Sequence, residues 1–228
     1  MRSLFLALLV AAFAAGGWLY SEWNHIAISP AASDWQPAVA AAPREAAVPR
    51  APCGAIYPDR NAWFGDLHVH TGYSMDARSR DMLGTPDDAY RFARGETIGL
   101  GPFDDQRRGM RRARLDVPLD FAAVTDHAEW LGEIVVCTQP GSPGYDSNAC
   151  RAYRGEAEPE WSIPQIFGGK RRMVYIMGYG DRNADVCGPQ NSWCRTGALD
   201  AWRAMQQAAE RHYDRSADCS FTTFHGYE

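Results

Sequence analysis

Trp63-Phe64-Gly65-Asp66-Leu67-His68-Val69-His70-Thr71-Gly72-Tyr73-Ser74-Met75-Asp76 places two histidines and a following carboxylate at the exit of one short strand. Side chains alternate between the faces of an extended strand, so His68 and His70 point the same way while Val69 turns into the packing. Imidazole and carboxylate are the donors that hold Zn, Mn or Fe at a water-activating centre. A bare His-x-His is a weak signal. It is strengthened by a second cluster of the same kind, Thr125-Asp126-His127, at the end of the apolar run Leu119 to Thr125.

A third strand, Phe221-Thr222-Thr223-Phe224, runs into His225-Gly226-Tyr227-Glu228. Polar clusters at three strand ends are how a parallel barrel or βα sheet assembles an active site, because the loops at the carboxyl ends converge on one mouth. On this reading His68 and His70 chelate one metal, Asp76 and His127 hold a second, and a carboxylate from the third strand end bridges them. Two adjacent metals orient a nucleophile and stabilise attacking and leaving oxygens, which suits phosphoester hydrolysis or a related cleavage.

The remaining composition narrows the class. The chain has 228 residues, 46% of them hydrophobic, enough for one sizeable core. With 23 basic against 28 acidic residues and a net charge of −5, a nucleic acid or anionic membrane surface is not the expected main partner; a small molecule is. The cluster Arg107, Arg108, Arg111, Arg112 and Arg114 reads as a solvated basic face rather than a phosphate grip.

The amino terminus, Met1-Arg2-Ser3 followed by the apolar stretch Leu4 to Ala15, reads as an export signal with Ala12-Phe13-Ala14 as a cleavage site. Extended to Tyr20, it approaches a membrane span, so residues 1–20 are a signal peptide or an uncleaved anchor. Residues 21–60, carrying Pro30, Pro37, Pro43, Pro49 and Pro52, are expected as an extended tether. Six cysteines fit an oxidising compartment, and the domain is expected to be periplasmic or anchored outside the cytoplasm. Cys187 and Cys194 flank a short turn, Cys137 and Cys150 flank a loop, and Cys53 and Cys219 remain. Sequence leaves their connectivity open.

Along the domain, residues 61–228, Ala62 to Val69 is expected as a strand. Thr85-Pro86-Asp87-Asp88 is a helix start with a Thr cap, Pro at the first helical position and acids in the first turn. Ala89, Phe92 and Ala93 form its buried stripe, and Gly95 stops it. Gly99-Leu100-Gly101 reads as a loop. Glu133 to Gly197 reads as an irregular, disulfide-stapled insertion, roughly residues 133–197, regular only over Arg172 to Tyr179. Ala198 to His212 restores helical spacing through Leu199, Trp202, Met205 and Ala209. His212 is expected on the exposed side of that helix.

From Asn61 to Glu228 the chain resembles the DUF3604 family of exported bacterial proteins, a branch related to the PHP (polymerase and histidinol phosphatase) superfamily of metal-dependent hydrolases. The resemblance lies in Phe64 to Thr71, Thr85 to Ala93, Leu119 to Glu129, and Phe221 to Phe224 with Gly226-Tyr227-Glu228. It implies an α/β fold, an incomplete distorted TIM-like (PHP-type) βα barrel. It implies His68 and His70 on a first divalent metal, Asp76 and His127 on a second, and Glu228 as the bridging carboxylate, with two or three metals in a complete protein. Further ligands in such proteins lie beyond the third motif, so a C-terminally truncated member is expected. Gly72 stands where the family more often has Ser, and His225 where an apolar residue is usual. Asp126 is a candidate to orient neighbouring groups or to contact metal directly, and Glu129 is the acid/base candidate; these two are the expected catalytic residues. Asp66 is a candidate to orient a ligand imidazole or to bond backbone. The expected function is an exported, phosphoesterase-like hydrolase of a small molecule; the alternative is a truncated, catalytically inactive metal-binding domain.

Overall fold

The computed structural model describes residues 11–17, 50–54, 61–106, 108–157, 171–176 and 182–228. The chain divides into Met1–Val48 and Pro49–Glu228. In the first unit residues 11–17 form an exposed helix, α1; the rest of the expected signal and most of the tether lie outside the described residues. Among the described residues no helix is long and apolar enough to cross a membrane.

The second unit is mixed α/β. Strands β1 (Gly65–Val69), β4 (Phe121–Val124) and β5 (Thr222–His225) form a parallel sheet in the order β1-β4-β5. Two further strands, β2 (Ile98–Phe103) and β3 (Gly109–Ala113), make a separate antiparallel hairpin. The strand expected from Ala62 begins only at Gly65. The described strands form an open sheet rather than a closed barrel.

Register decides where the chemistry falls. Val69 pairs with Val124, and Val124 with His225, so the chain leaves all three strands at one edge. Between Asp66 and Val69 the β1 register shifts against β4, an irregularity that re-aims side chains just before the edge.

Helix α2 (Met75–Arg78) is a single turn after β1. Helix α3 (Pro86–Ala93) starts as its sequence dictates: the Thr85 side chain accepts from the Asp88 N–H while the Asp88 side chain accepts from the Thr85 N–H. Arg94 caps it, and Gly95 follows at φ 81°, a left-handed position that glycine occupies without strain. Its buried residues are Pro86, Tyr90 and Ala93, so Tyr90 rather than Phe92 carries the stripe. Tyr90, Ala122, Val124, Met205, Ala208 and Phe221 share one core, clamping α3 and the last long helix onto the sheet.

Three expectations are corrected here. Gly99-Leu100-Gly101 is part of β2 and not a loop, because the pairing of Leu100 with Arg111 outweighs the low strand preference of glycine. Residues 133–197 are largely helical in their described parts: α4 (Leu131–Thr138), α5 (Asn148–Arg154), α6 (Arg171–Ile176) and α7 (Ala184–Cys187), with a 3-10 turn at Pro189–Asn191. They enclose a second core containing Ile134, Val136, Tyr153, Ile176 and Val186. Finally α8 spans Ser192–His212, starting earlier than Ala198. Its buried line is Cys194, Gly197, Ala201, Met205 and Ala208, leaving Leu199 50% exposed. Small residues set that line. A Cβ on Gly132 would lie 2.0 Å from the Cys194 carbonyl oxygen, so α4 and α8 approach closer than any side chain allows.

Disulfides join Cys53 to Cys219, Cys137 to Cys150 and Cys187 to Cys194. Residues 50–54 run along the turn before β5, with Ala51 N–H donating to the Arg215 carbonyl at 3.2 Å and Gly54 N–H to that of Ala217 at 2.7 Å.

Candidate metal centre

Beyond β1 the chain turns through Thr71 and Ser74 into α2, and beyond β4 it turns at Asp126. These turns are sewn together. The Thr71 N–H donates to Asp126 Oδ1 at 2.5 Å and its hydroxyl to Oδ2 at 2.7 Å, while the His127 N–H donates to Ser74 Oγ at 2.9 Å. Thr71, Ser74 and Asp126 are all buried. Glu228 is fixed through its backbone, its N–H donating to the Asp126 carbonyl at 3.2 Å and its own carbonyl accepting from Ala128 at 2.9 Å.

This framework gathers all five expected ligands. Nε2 of His70 lies 2.7 Å from Glu228 Oε2, and Nδ1 lies 3.0 Å from Asp76 Oδ1. Nε2 of His68 lies 3.2 Å from Glu228 Oε2. His127 stands 3.8 Å from Asp76 through Nε2 and 3.8 Å from Glu228 through Nδ1. Two ligand-type groups result, His68/His70/Glu228 and His70/Asp76/His127, each with its donor atoms within 4.8 Å of one another. His70 belongs to both and so joins the two groups.

Two ring nitrogens test whether the set suits a cation. His70 Nε2 and His127 Nδ1 are buried and have no hydrogen bond; Glu228 is within ion-pair distance of both but not in hydrogen-bond alignment. Buried polar atoms are normally satisfied, and leaving one without a partner costs about 1–3 kcal/mol. Nitrogen lone pairs converging with carboxylate oxygens fit a divalent cation of the Zn, Mn or Fe kind.

Burial disfavours a charged His70 ring, but its bond with Asp76 and the nearby Asp76 and Glu228 carboxylates outweigh that and raise its pKa above the ordinary 6.5. Burial likewise works against the Asp76 carboxylate, yet His70, the Ala77 N–H and His127 lower its pKa. At Asp126 burial wins and the pKa rises despite the Thr71 bonds.

The other candidates are placed as follows. Both Asp126 oxygens are taken by Thr71, so this carboxylate faces the turn and not the donor groups. Glu129 is 57% exposed at the rim, its Oε2 3.4 Å from His127 Nδ1. Asp66 accepts from the His68 N–H at 2.9 Å, a bond to backbone. His225 pairs with Glu210 at 3.1 Å, away from the cluster. His212 is not exposed as expected: it stacks on Tyr90 and meets Asp87 at 3.1 Å, because α3 packs over the end of α8. The described arginines of the basic cluster are exposed, as a solvated face requires. Sequence reasoning passed over Thr71, Ser74 and Tyr90 as positioning groups. Thr71 and Ser74 stand inside the quoted motif, where their hydroxyls were the available signal.

Fold and site together define a mixed α/β protein with a histidine and carboxylate cluster at the carboxyl edge of a parallel sheet. Residues 57–228 match the family described as Protein of unknown function (DUF3604), and the chain belongs to that family. No curated protein and no solved structure matches the chain.

Proposed function

We propose that this protein is a metal-dependent hydrolase of a small molecule, most closely a phosphoesterase. The observation that carries the reading is the cluster itself: three imidazoles and two carboxylates from three strand ends, with two buried ring nitrogens lacking hydrogen bonds. His68, His70, Asp76, His127 and Glu228 would hold two cations, Zn, Mn or Fe, with two or three in a complete protein. Such ions polarise a phosphoryl oxygen and acidify water, lowering the barrier to in-line displacement. Glu129, exposed beside His127, moves a proton to or from the reacting groups. Asp126 acts through Thr71, holding the β1 and β4 turns at the spacing the ligands need.

The finer fold reading goes with it. We take β1, β4 and β5 as parallel strands of a distorted TIM-like barrel of the PHP type, with the cations at its carboxyl-end mouth; the parallel order and the common edge support this. Export to the periplasm, free or membrane-anchored, is proposed on the basic, apolar amino terminus, and three disulfides are consistent with it.

The test is metal titration with Zn and Mn, followed by hydrolysis of p-nitrophenyl phosphate and bis(p-nitrophenyl) phosphate with and without chelator. Turnover that needs metal and disappears in His70→Ala supports the enzyme. Turnover indifferent to either sinks it, and tight metal binding without turnover on any ester indicates a catalytically inactive metal-binding domain.

A further inference from the structure

Behind the ligand strand lies a cavity of about 540 Å³, bounded by β1 and β4 on one side, α3 on another and the β2–β3 hairpin on the third. Its volume falls within the range of small-molecule sites, roughly 300–1,000 Å³. Ile98, Leu100, Leu115 and Leu119 line it and are only half-buried, so the hairpin does not close down on the sheet. Apolar side chains held apart in this way forgo both burial and dispersion contacts, and a ligand filling the space would restore them.

The cavity reaches the metal centre through His70 and Thr71, which form part of its wall. Its charge is one-sided. Among the described residues lining it there is no lysine or arginine, while the Asp66 and Asp88 carboxylates stand in its wall. Asp66 is occupied by the His68 N–H, and Asp88 by the Thr85 cap and by Arg91 at 3.3 Å. Neither offers a donor, and the Asp66 carboxylate repels an anion. A phosphoryl group is therefore unwelcome in the cavity, whereas cations held by His68, His70 and Glu228 at its end would attract one.

We infer that this cavity is the subsite for an apolar alkyl or aryl group of the substrate, so that the protein acts on esters joining a phosphoryl-type anion to a hydrophobic alcohol. The inference deepens the hydrolase reading and rests on it. The anion sits at the His68/His70/Glu228 edge, the ester oxygen lies near His70, and the hydrocarbon runs between Val69, Val124 and the hairpin. Specificity then comes from chain length and bulk rather than from hydrogen bonds, since the lining supplies few.

The experiment is a homologous series of n-alkyl phosphate monoesters, methyl to octyl, assayed by release of inorganic phosphate with the metal-loaded full chain. In the unaltered protein kcat/KM is expected to rise about fourfold per added methylene until the cavity is full. Ala113→Phe, on the hairpin wall, and Ala89→Leu, on the helix wall, should flatten that rise. The unaltered protein tests the rise by itself, so a variant that fails to fold does not spoil the test. Hydrolysis with a flat profile across the series overturns the subsite and leaves the hydrolase reading intact. If no ester is turned over, the hydrolase reading fails, and calorimetric titration with n-alcohols from butanol to octanol decides the cavity. Affinity growing with length and lost in the two variants upholds an apolar site, whereas no binding by octanol overturns it.

Discussion

Thr71 and Asp126, both buried, are joined by two hydrogen bonds, amide to Oδ1 at 2.5 Å and hydroxyl to Oδ2 at 2.7 Å. The carboxylate accepts both bonds, which offset part of the burial that raises its pKa. In Asp126→Asn the new NH2 must face the Thr71 hydroxyl, which can turn to accept it but then gives up its own donor bond, and the charge that strengthens both bonds is lost. The expected cost is about 1–3 kcal/mol, or roughly 2–4 °C of Tm per kcal/mol in a domain of this size. Metal affinity should fall about tenfold or more, because the turn carrying His70 loosens. Thermal unfolding and a Zn titration on the same variant check both.

His70 lies in both donor groups, whereas His68 belongs to one and is 69% exposed at its side chain. The two histidines should therefore not be equivalent. His68→Ala is expected to weaken one cation site and spare the other; His70→Ala should empty both. Metal content per chain after dialysis distinguishes the two, and equal losses in both variants would show that the cluster is not shared through His70.

Away from the site, Asp87 tests acid stability. Its hydrogen bond from Arg211, with the Arg211 charge and His212, lowers its pKa below the ordinary 3.8 against a smaller opposing effect of burial. A carboxyl with a depressed folded pKa contributes stability that is fully present above the unfolded value and is lost as pH falls through the folded one. Asp87 is 40% exposed, so solvent screens the pair and the contribution is about 0–1 kcal/mol. Urea denaturation should find Asp87→Asn slightly less stable than the unaltered chain at pH 7, with the gap closing well below pH 3.8.

The Cys53–Cys219 bridge spans a sequence separation of 166. On chain-entropy grounds a loop of that length is worth about 5 kcal/mol, at the upper end of the usual range. The double variant Cys53→Ser/Cys219→Ser should lose a large part of that, read as a lower urea midpoint with a steeper slope, because the denatured chain without the cross-link is more expanded. The loss would fall on residues 50–54 and the turn entering β5, the strand that delivers Glu228.

The histidine clusters of the candidate site were legible in the sequence because each is local, His-x-His on one strand and Thr-Asp-His on another, whereas Glu228 was named through the family resemblance. Thr85-Pro86-Asp87-Asp88 was legible for the same reason, since a capping box is written in four consecutive residues. Helix α4 was not. Leu131 to Cys137 is buried throughout, so no polar face marks its period, and its branched residues read against a helix. The line of α8 was hidden by small residues, Gly197 and Ala201, which no apolar periodicity flags but which the close approach to Gly132 requires. Strand β2 carries Gly99, Gly101 and Pro102, each poor for a strand, and only its partner β3 makes it one.

Tyr90 shows what only the folded chain could reveal. Its hydroxyl accepts from the Val124 N–H at 3.2 Å and donates to the Phe224 carbonyl at 3.3 Å, linking β4 to β5 just before the residues that lead to His127 and Glu228. The ring is 1% exposed and stacked on His212, so the hydroxyl has no room to swing away. Tyr90→Phe preserves the ring and its packing while removing one oxygen. The Val124 N–H, itself buried, then lacks a partner, which costs about 1–3 kcal/mol. A purely structural role would end there, as a lower Tm with metal affinity intact. If the hydroxyl also sets the spacing of the two strand ends, metal affinity falls as well, by about tenfold, and excess Mn recovers binding without restoring the lost Tm of the metal-free protein. Calorimetric metal titration beside thermal unfolding of the metal-free variant separates the two, and unchanged affinity would confine Tyr90 to the core.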